Sequence, residues 1–457
     1  MRVLKRLQLF LRPQKVESSQ SAELEEIAKI LAGAEGIRAV YQQVLEDASG
    51  GKKATGAEGL TAEQIVGLGI LRLRLGATYR ELSELTGDSL SVRQFLNIAP
   101  GRQLSKSAIQ SNLKRIKEST WRMLNECLKR AAHKDGIEDG KTVRGDTTTT
   151  ETNIHFPTDA SLLCDGIRVL TRVMNRLKAW TGAPVESSDH SRRAKRKLYR
   201  INNARSQERR HPHYLELIRV TRWTVSYAEK TLGVLQGHAP KTQEELLTIV
   251  SAEAQLRHYI PLVKRVIDQA YRRIIKEEQL LASEKIVSIF EPHTDIIVKG
   301  HRDVVFGHKV LLTTGQSSLV LNLSVLDGNP ADSSLVSDIL DQHTASYGEP
   351  PIDLALDGGF ASTANRDIAK EQGVANITFS KNLGLPLDSL VSSEKKHKTL
   401  LRFRSGIEGC ISFLKRVFGL TRILDRTEAT FKAMLQCAAC AYNLTLLARI
   451  RIQRATT

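Results

Sequence analysis

The residues of this sequence that could do chemistry are carboxylates standing apart from the patterns around them. Asp146 follows Val143 at the end of an expected strand, and Asp357 closes the strand IDLALD just before Gly358 and Gly359. Strand ends facing a helical layer are where open α/β sheets place ligands, and glycines there let a substrate backbone approach closely. Glu408, in RFRSGIEGCISFLKRVFGL, shares a helical stripe with Arg404, Ser412 and Lys415, beside the apolar stripe Ile407, Ile411, Leu414 and Phe418. Taken alone, that stripe reads as an intrahelical salt-bridge series. Taken together, three hard-oxygen acids would hold Mg²⁺ or Mn²⁺, and two such ions are a standard device for in-line phosphoryl displacement.

Other candidates are weaker. Asp295 rivals Asp146, since it lies on an expected strand much closer to Asp357. Asp159, Asp165 and Asp303 read as caps or surface acids, and Glu151 as support for the first-strand loop. His155, His293, His301 and His308 lack partners at metal-ligand spacing and read as local hydrogen-bonding groups. Neither a GxxxxGK[ST] nor a GxGxxG loop occurs between a strand and a helix, so ATP dependence is not indicated.

The elements that must position these acids follow from periodicity. Residues 60 to 130 read as short capped helices, with capping boxes at Thr61 to Gln64 and Thr78 to Glu81 and a further start at Ser107. TYRELSELTGDSLSVRQFL has the length and central Gly87 of a helix-turn-helix, and the next helix would carry Lys114, Arg115 and Lys117 toward DNA. One strand is expected within 141 to 160. From 162 to 286 the period is helical, with Leu163, Ile167, Leu170, Met174 and Leu177 on one stripe. After 290 come three strands, a helix, a strand, a helix and a strand, the order of a mixed α/β sheet, and helices close the chain from about 404.

Composition narrows the partners. The 457 residues carry 67 Lys+Arg against 50 Asp+Glu, a net charge of +17, which favours a polyanion. The charge is concentrated: Arg192, Arg193, Lys195, Arg196, Lys197, Arg200, Arg205, Arg209 and Arg210 face only Glu208 between 192 and 210, so phosphate contacts are expected there. The uncharged runs 310 to 326 and 433 to 448 are too short to span a bilayer, and MRVLKRLQLFLRP is too short and basic for a secretory signal, so a cytoplasmic, nucleoid-associated protein is expected. Five cysteines without a repeating spacing suggest no disulfide framework, and Cys437 and Cys440 read as a buried helix face.

Four ordered segments carry a family resemblance. Arg404-x3-Glu408-x6-Lys415 resembles the Tyr-x2-Arg-x3-Glu-x6-Lys signature of DDE transposases from bacterial insertion sequences, with Leu401 at the place of the Tyr. DGGFAS at 357 to 362 resembles their second-aspartate motif, and VRGDTTTTETNIHFPTDASLLCDGIRVLTR their first. EPHTDIIVKGHRDVVFGHK is similar to the segment that resumes their fold after a helical insertion, the nearest pattern being the ISNCY type. The resemblance implies a multidomain α plus α/β chain: an N-terminal helical, helix-turn-helix-like DNA-binding region at 1–135, an RNase H-like mixed-sheet catalytic domain at 136–161 and 287–457, and an all-helical basic insertion at 162–286. It further implies Asp146, Asp357 and Glu408 as catalytic metal ligands for two Mg²⁺ or Mn²⁺ ions, and Arg404 and Lys415 as phosphate contacts. The implied partners are the double-stranded DNA of transposon ends and target, and further copies of the chain in a dimer or larger synaptic complex. A metal-dependent nuclease that cuts without joining and an inactive DNA-binding regulator are the alternatives.

Overall fold

Side-chain caps set where most of the helices begin. The computed structural model describes residues 18–50, 59–99, 101–299 and 303–456; the N-terminal basic stretch and His301 lie outside them. Helices α1 (Ser19–Gly33) and α2 (Ile37–Ser49) lead into α3 (Ala62–Leu75) and α4 (Tyr79–Asp88), whose capping boxes are the two read from the sequence, Thr61 with Gln64 and Thr78 with Glu81. Next come α5 (Leu90–Phe95), α6 (Lys106–Leu113) and α7 (Glu118–Lys134). Ser105, not Ser107, caps α6 by accepting the Ala108 N–H. Gly87 lies inside α4, and Ser89 alone separates α4 from α5. Lys114 is the C-cap of α6, and Arg115 and Lys117 follow in the turn, so these cations stand beyond the helix end rather than along its face. The chain turns there to bury Ile116, which is 2% exposed.

Strand β1 (Thr142–Glu151) is ten residues long and places Asp146 in its middle, not at its end. The β-branched run Thr147 to Thr150 carries the strand onward, and the Glu151 N–H bonds the Thr421 carbonyl.

The chain divides into two compact units, Met1–Thr152 with His308–Thr457, and Asn153–Gly307. The second unit holds α8 (Asp159–Trp180), α9 (Ser191–Asn203), α10 (Gln207–Gly237) and α11 (Gln243–Ala270), then β2 (Asp295–Lys299) and the start of β3 (Asp303–Thr314), which pairs antiparallel with β2. The expected stripe of α8, from Leu163 to Leu177, is buried in this unit's own core, each such side chain contributing about 1.5–3 kcal/mol.

The first unit resumes with the rest of β3, β4 (Val320–Val325), α12 (Val336–Tyr347), β5 (Asp353–Leu356), α13 (Thr363–Glu371), β6 (Asn376–Phe379), α14 (Leu387–Leu390), α15 (Glu394–Val417) and α16 (Glu428–Thr456). The six-stranded sheet has the order β2-β3-β1-β5-β6, with β4 also paired to β3. Strand pairs β1/β5 and β5/β6 are parallel, and β3/β4 antiparallel. This mixed sheet in a helix-rich chain fits an RNase H-like domain. Ser393 caps α15 and starts it ten residues before the expected position, so one helix carries Arg404, Glu408 and Lys415. Helix α16 is long and apolar enough to cross a membrane, yet 83% of its apolar window is buried in the protein, including Cys437 and Cys440, whose thiols burial holds protonated.

Candidate active site

The site is built at the level where three parallel strands reach the same height. Gly145 pairs with Leu356, and Leu356 with Phe379. One residue further along each strand stand Asp146, Asp357 and Ser380, side by side because parallel register keeps equivalent steps level. The Ser380 hydroxyl donates to Asp357 Oδ1 at 2.7 Å and accepts the Gly358 N–H at 2.7 Å, closing the turn after β5.

Helix α15 brings the third acid. Arg404 Nη2 lies 3.2 Å from Asp146 Oδ2 and 2.7 Å from Asp357 Oδ1, while its Nη1 lies 3.3 Å from Glu408 Oε1. The three acids expected to act together thus converge on one guanidinium, whose buried Nε has no hydrogen bond. Glu408 forms the intrahelical pair its spacing allowed, and Arg404 also reaches across to the sheet. The Glu408 side chain is 70% exposed, and Lys415 lies two turns further along α15.

Arg144, which sequence reasoning does not single out, seats α15 on β1. It is 4% exposed and donates to Thr314 Oγ1 at 2.8 Å, the Phe403 carbonyl at 2.6 Å and Ser318 Oγ at 2.7 Å. Its guanidinium lies 4.6 Å over the Phe403 ring. A Cβ on Gly406 would fall 2.2 Å from Arg144 Nη1, so only glycine allows this approach. The sequence signal is an arginine two residues before Asp146, on the same face of β1.

The charges are unequal. Burial pushes the Asp146 carboxyl up to about 6; the Thr147 N–H and Arg404 oppose the shift, while Asp357 and Asp332 add to it. Burial also raises Asp357, but the Ser380 hydroxyl, Arg404 and the N–H groups of Gly358 and Gly359 outweigh it and hold that carboxyl below the usual range. Asp332 is a second residue the sequence does not mark: it accepts from Thr147 Oγ1 at 2.9 Å and pairs with Lys309 at 2.8 Å. Hard oxygens with one carboxyl raised among neighbouring acids suit a divalent cation in kind. Among the described residues no three such groups stand at the spacing of a formed metal site; Arg404 is the cation they share.

The other candidates have their own surroundings. Asp295 sits on β2 opposite Gly307, in the second unit. Asp159 is bound by Gln269 and Arg273, Asp165 by Arg168, and Glu151 by Arg422. His155 lies 3.5 Å from Asp165, His293 2.8 Å from Glu291, and His308 against the Phe431 ring.

The expected DNA contacts divide into committed and uncommitted cations. On α9, Arg192, Lys195, Arg196 and Arg200 are exposed and form one stripe with Tyr199, which is 70% exposed. Arg193 instead pairs with Glu216 and lies 5.6 Å over Trp223. Lys197 is half-buried, and burial with the neighbouring Arg200, Arg193 and Arg196 lowers its pKa. Arg115 donates to the Ala48 carbonyl at 2.9 Å, whereas Lys114 lines a cleft of about 400 Å³ with Gln110 and Arg416.

Residues 297–444 match the family model of the transposase DDE domain. The match takes in Asp357, Arg404, Glu408 and Lys415, leaves Asp146 and α9 outside it, and supports DNA cleavage of the transposase kind for this chain. No curated protein and no solved structure matches.

Proposed function

We propose that this chain is a DDE transposase that hydrolyses DNA at the ends of a bacterial insertion sequence and joins the freed 3′-hydroxyl to target DNA. The observation that carries the reading is the convergence of Asp146, Asp357 and Glu408 on the Arg404 guanidinium, together with the transposase DDE match over 297–444. Mg²⁺ or Mn²⁺, as two ions held by these three acids, would supply activation of the attacking oxygen and stabilisation of the leaving one. The chain's own groups prepare that place. Ser380 and the turn N–H groups keep Asp357 ionised, the Thr147 N–H orients Asp146 at 2.7 Å, and exposed Glu408 shares the Arg404 guanidinium with the strand acids. Arg404, once relieved of the acids, offers its planar fork to a DNA phosphate, and Lys415 a point charge.

Duplex DNA is the partner, gripped through its phosphates by Arg192, Lys195, Arg196 and Arg200 and by Lys114 beyond the α6 end. Arg193, Lys197 and Arg115 support this grip through structure. Holding two ends at once requires two or more copies of the chain, and action on the chromosome places the protein in the cytoplasm with the nucleoid. The test is incubation with end-bearing duplex and a supercoiled target plasmid in Mg²⁺. Covalent joining of the end 3′-hydroxyl to the plasmid is the expected product. Nicks without joined product overturn strand transfer and leave a nuclease, and end binding without nicks leaves a regulator.

A further inference from the structure

Asp332 opens a short turn, Asp332–Ser334, between β4 and α12, yet its carboxylate reaches Thr147, the residue after Asp146. Its Oδ1 accepts from the Thr147 hydroxyl at 2.9 Å and pairs with Lys309 Nζ at 2.8 Å. Lys309 is itself 12% exposed and fixed by a 2.6 Å bond to the Pro330 carbonyl. The same Thr147 donates its N–H to Asp146 Oδ1 at 2.7 Å, so one residue joins Asp332 to the first acid. On the other side, Asp332 Oδ2 faces the turn after the second acid, where a Cβ on Gly359 would lie 2.8 Å from it. Buried Asn365 ties the two turns together, donating to both the Ser333 and Phe360 carbonyls at 2.7 Å.

We propose that Asp332, anchored by Lys309, is a positioning residue that fixes the Asp146 strand and the Asp357 turn in one frame for divalent-ion binding. The proposal deepens the metal-assisted reading above and rests on it. Asp332 lies between β1 and the Gly358 to Phe360 turn, so a change in its length or charge shifts the two acids relative to each other. Residues that orient metal ligands in this way typically affect affinity by about 10- to 100-fold. The pair also explains Gly359: any side chain there would displace the Asp332 carboxylate.

The test is Mn²⁺ binding to the full chain by isothermal titration calorimetry, without DNA or turnover, for the parent, Asp332→Ala, Asp332→Asn, Thr147→Val and Asp146→Asn. Melting curves and end-DNA affinity are measured alongside. Asp332→Ala is expected to weaken Mn²⁺ binding about 10-fold or more at unchanged end-DNA affinity. Asp332→Asn, which keeps an acceptor for the Thr147 hydroxyl, is expected to weaken it less, with Thr147→Val between the two. Mn²⁺ affinity within twofold of the parent in folded Asp332→Ala overturns the proposal while the metal reading stands. If Asp332→Ala does not fold, parent-like affinity in both Asp332→Asn and Thr147→Val overturns it equally. Parent binding that survives Asp146→Asn unchanged places the ion away from the acids and overturns the metal reading and this proposal together.

Discussion

The acid site and helix α9 each concentrate charge, and they treat it in opposite ways. At the acid site two cations are committed: Arg404 serves three carboxylates, and Lys309 holds Asp332. On α9, Arg192, Lys195, Arg196 and Arg200 stand exposed, and the nearest acidic influence is Asp189 on Arg192, a charge interaction without a salt bridge. Internally paired charge sets geometry and costs stability when one member is removed. Unpaired, solvated charge contributes little to stability and is available to a polyanion. Under the proposed function the two regions take different tasks, chemistry on a phosphodiester in the first and capture of the duplex in the second.

The larger effect expected from this contrast is at Arg404. Arg404→Met removes the cation the three acids share, and because Asp146 and Arg404 are mostly buried while Asp357 and Glu408 are half to largely exposed, a loss of about 2–3 kcal/mol is expected by urea unfolding. A loss below about 0.5 kcal/mol would mean that the guanidinium does not hold the acids together. The smaller effect lies on α9. Changing Arg192, Lys195, Arg196 and Arg200 to Gln is expected to leave stability within about 0.5 kcal/mol while flattening the logarithmic salt dependence of duplex binding by roughly 0.9 for each phosphate no longer neutralised. Changing Arg193 to Gln, where Glu216 and Trp223 already occupy the guanidinium, is expected to move that slope less than changing Arg200. An unchanged slope in the fourfold variant returns α9 to an ordinary solvated surface.

Much of this site is legible in the sequence because its acids stand where local patterns change. The strand IDLALD ends at two glycines, and Asp357 is its last residue; Arg404 and Glu408 share a helical stripe at four-residue spacing. Legibility stops where position depends on distant segments. Arg144 is a charged residue in a strand, unremarkable until α15 covers it and Gly406 admits it. Asp332 sits in ADSSLV, which reads as the start of a helix, and only the packing of one turn on another brings it against Gly359, in the turn after Asp357. Ser380 matters because parallel register levels it with both aspartates, and register is not written in any one strand. Asp146 is expected at a strand end, whereas the threonines after it prolong the strand to Glu151. Helical period alone draws Lys114 and Arg115 onto α6, but burial of Ile116 turns the chain first.

In the proposed function Asp146, on the strand beside Asp357, is the first acid of the chemistry, and not Asp295 on β2. The most direct measurement is single-turnover cleavage of end-labelled transposon-end DNA in Mg²⁺ by the parent, Asp146→Asn and Asp295→Asn, with end binding followed on the same samples. Cleavage is expected to fall to background in Asp146→Asn at near-parent end affinity, and to stay parent-like in Asp295→Asn. Cleavage retained by Asp146→Asn and lost in Asp295→Asn would contradict this assignment.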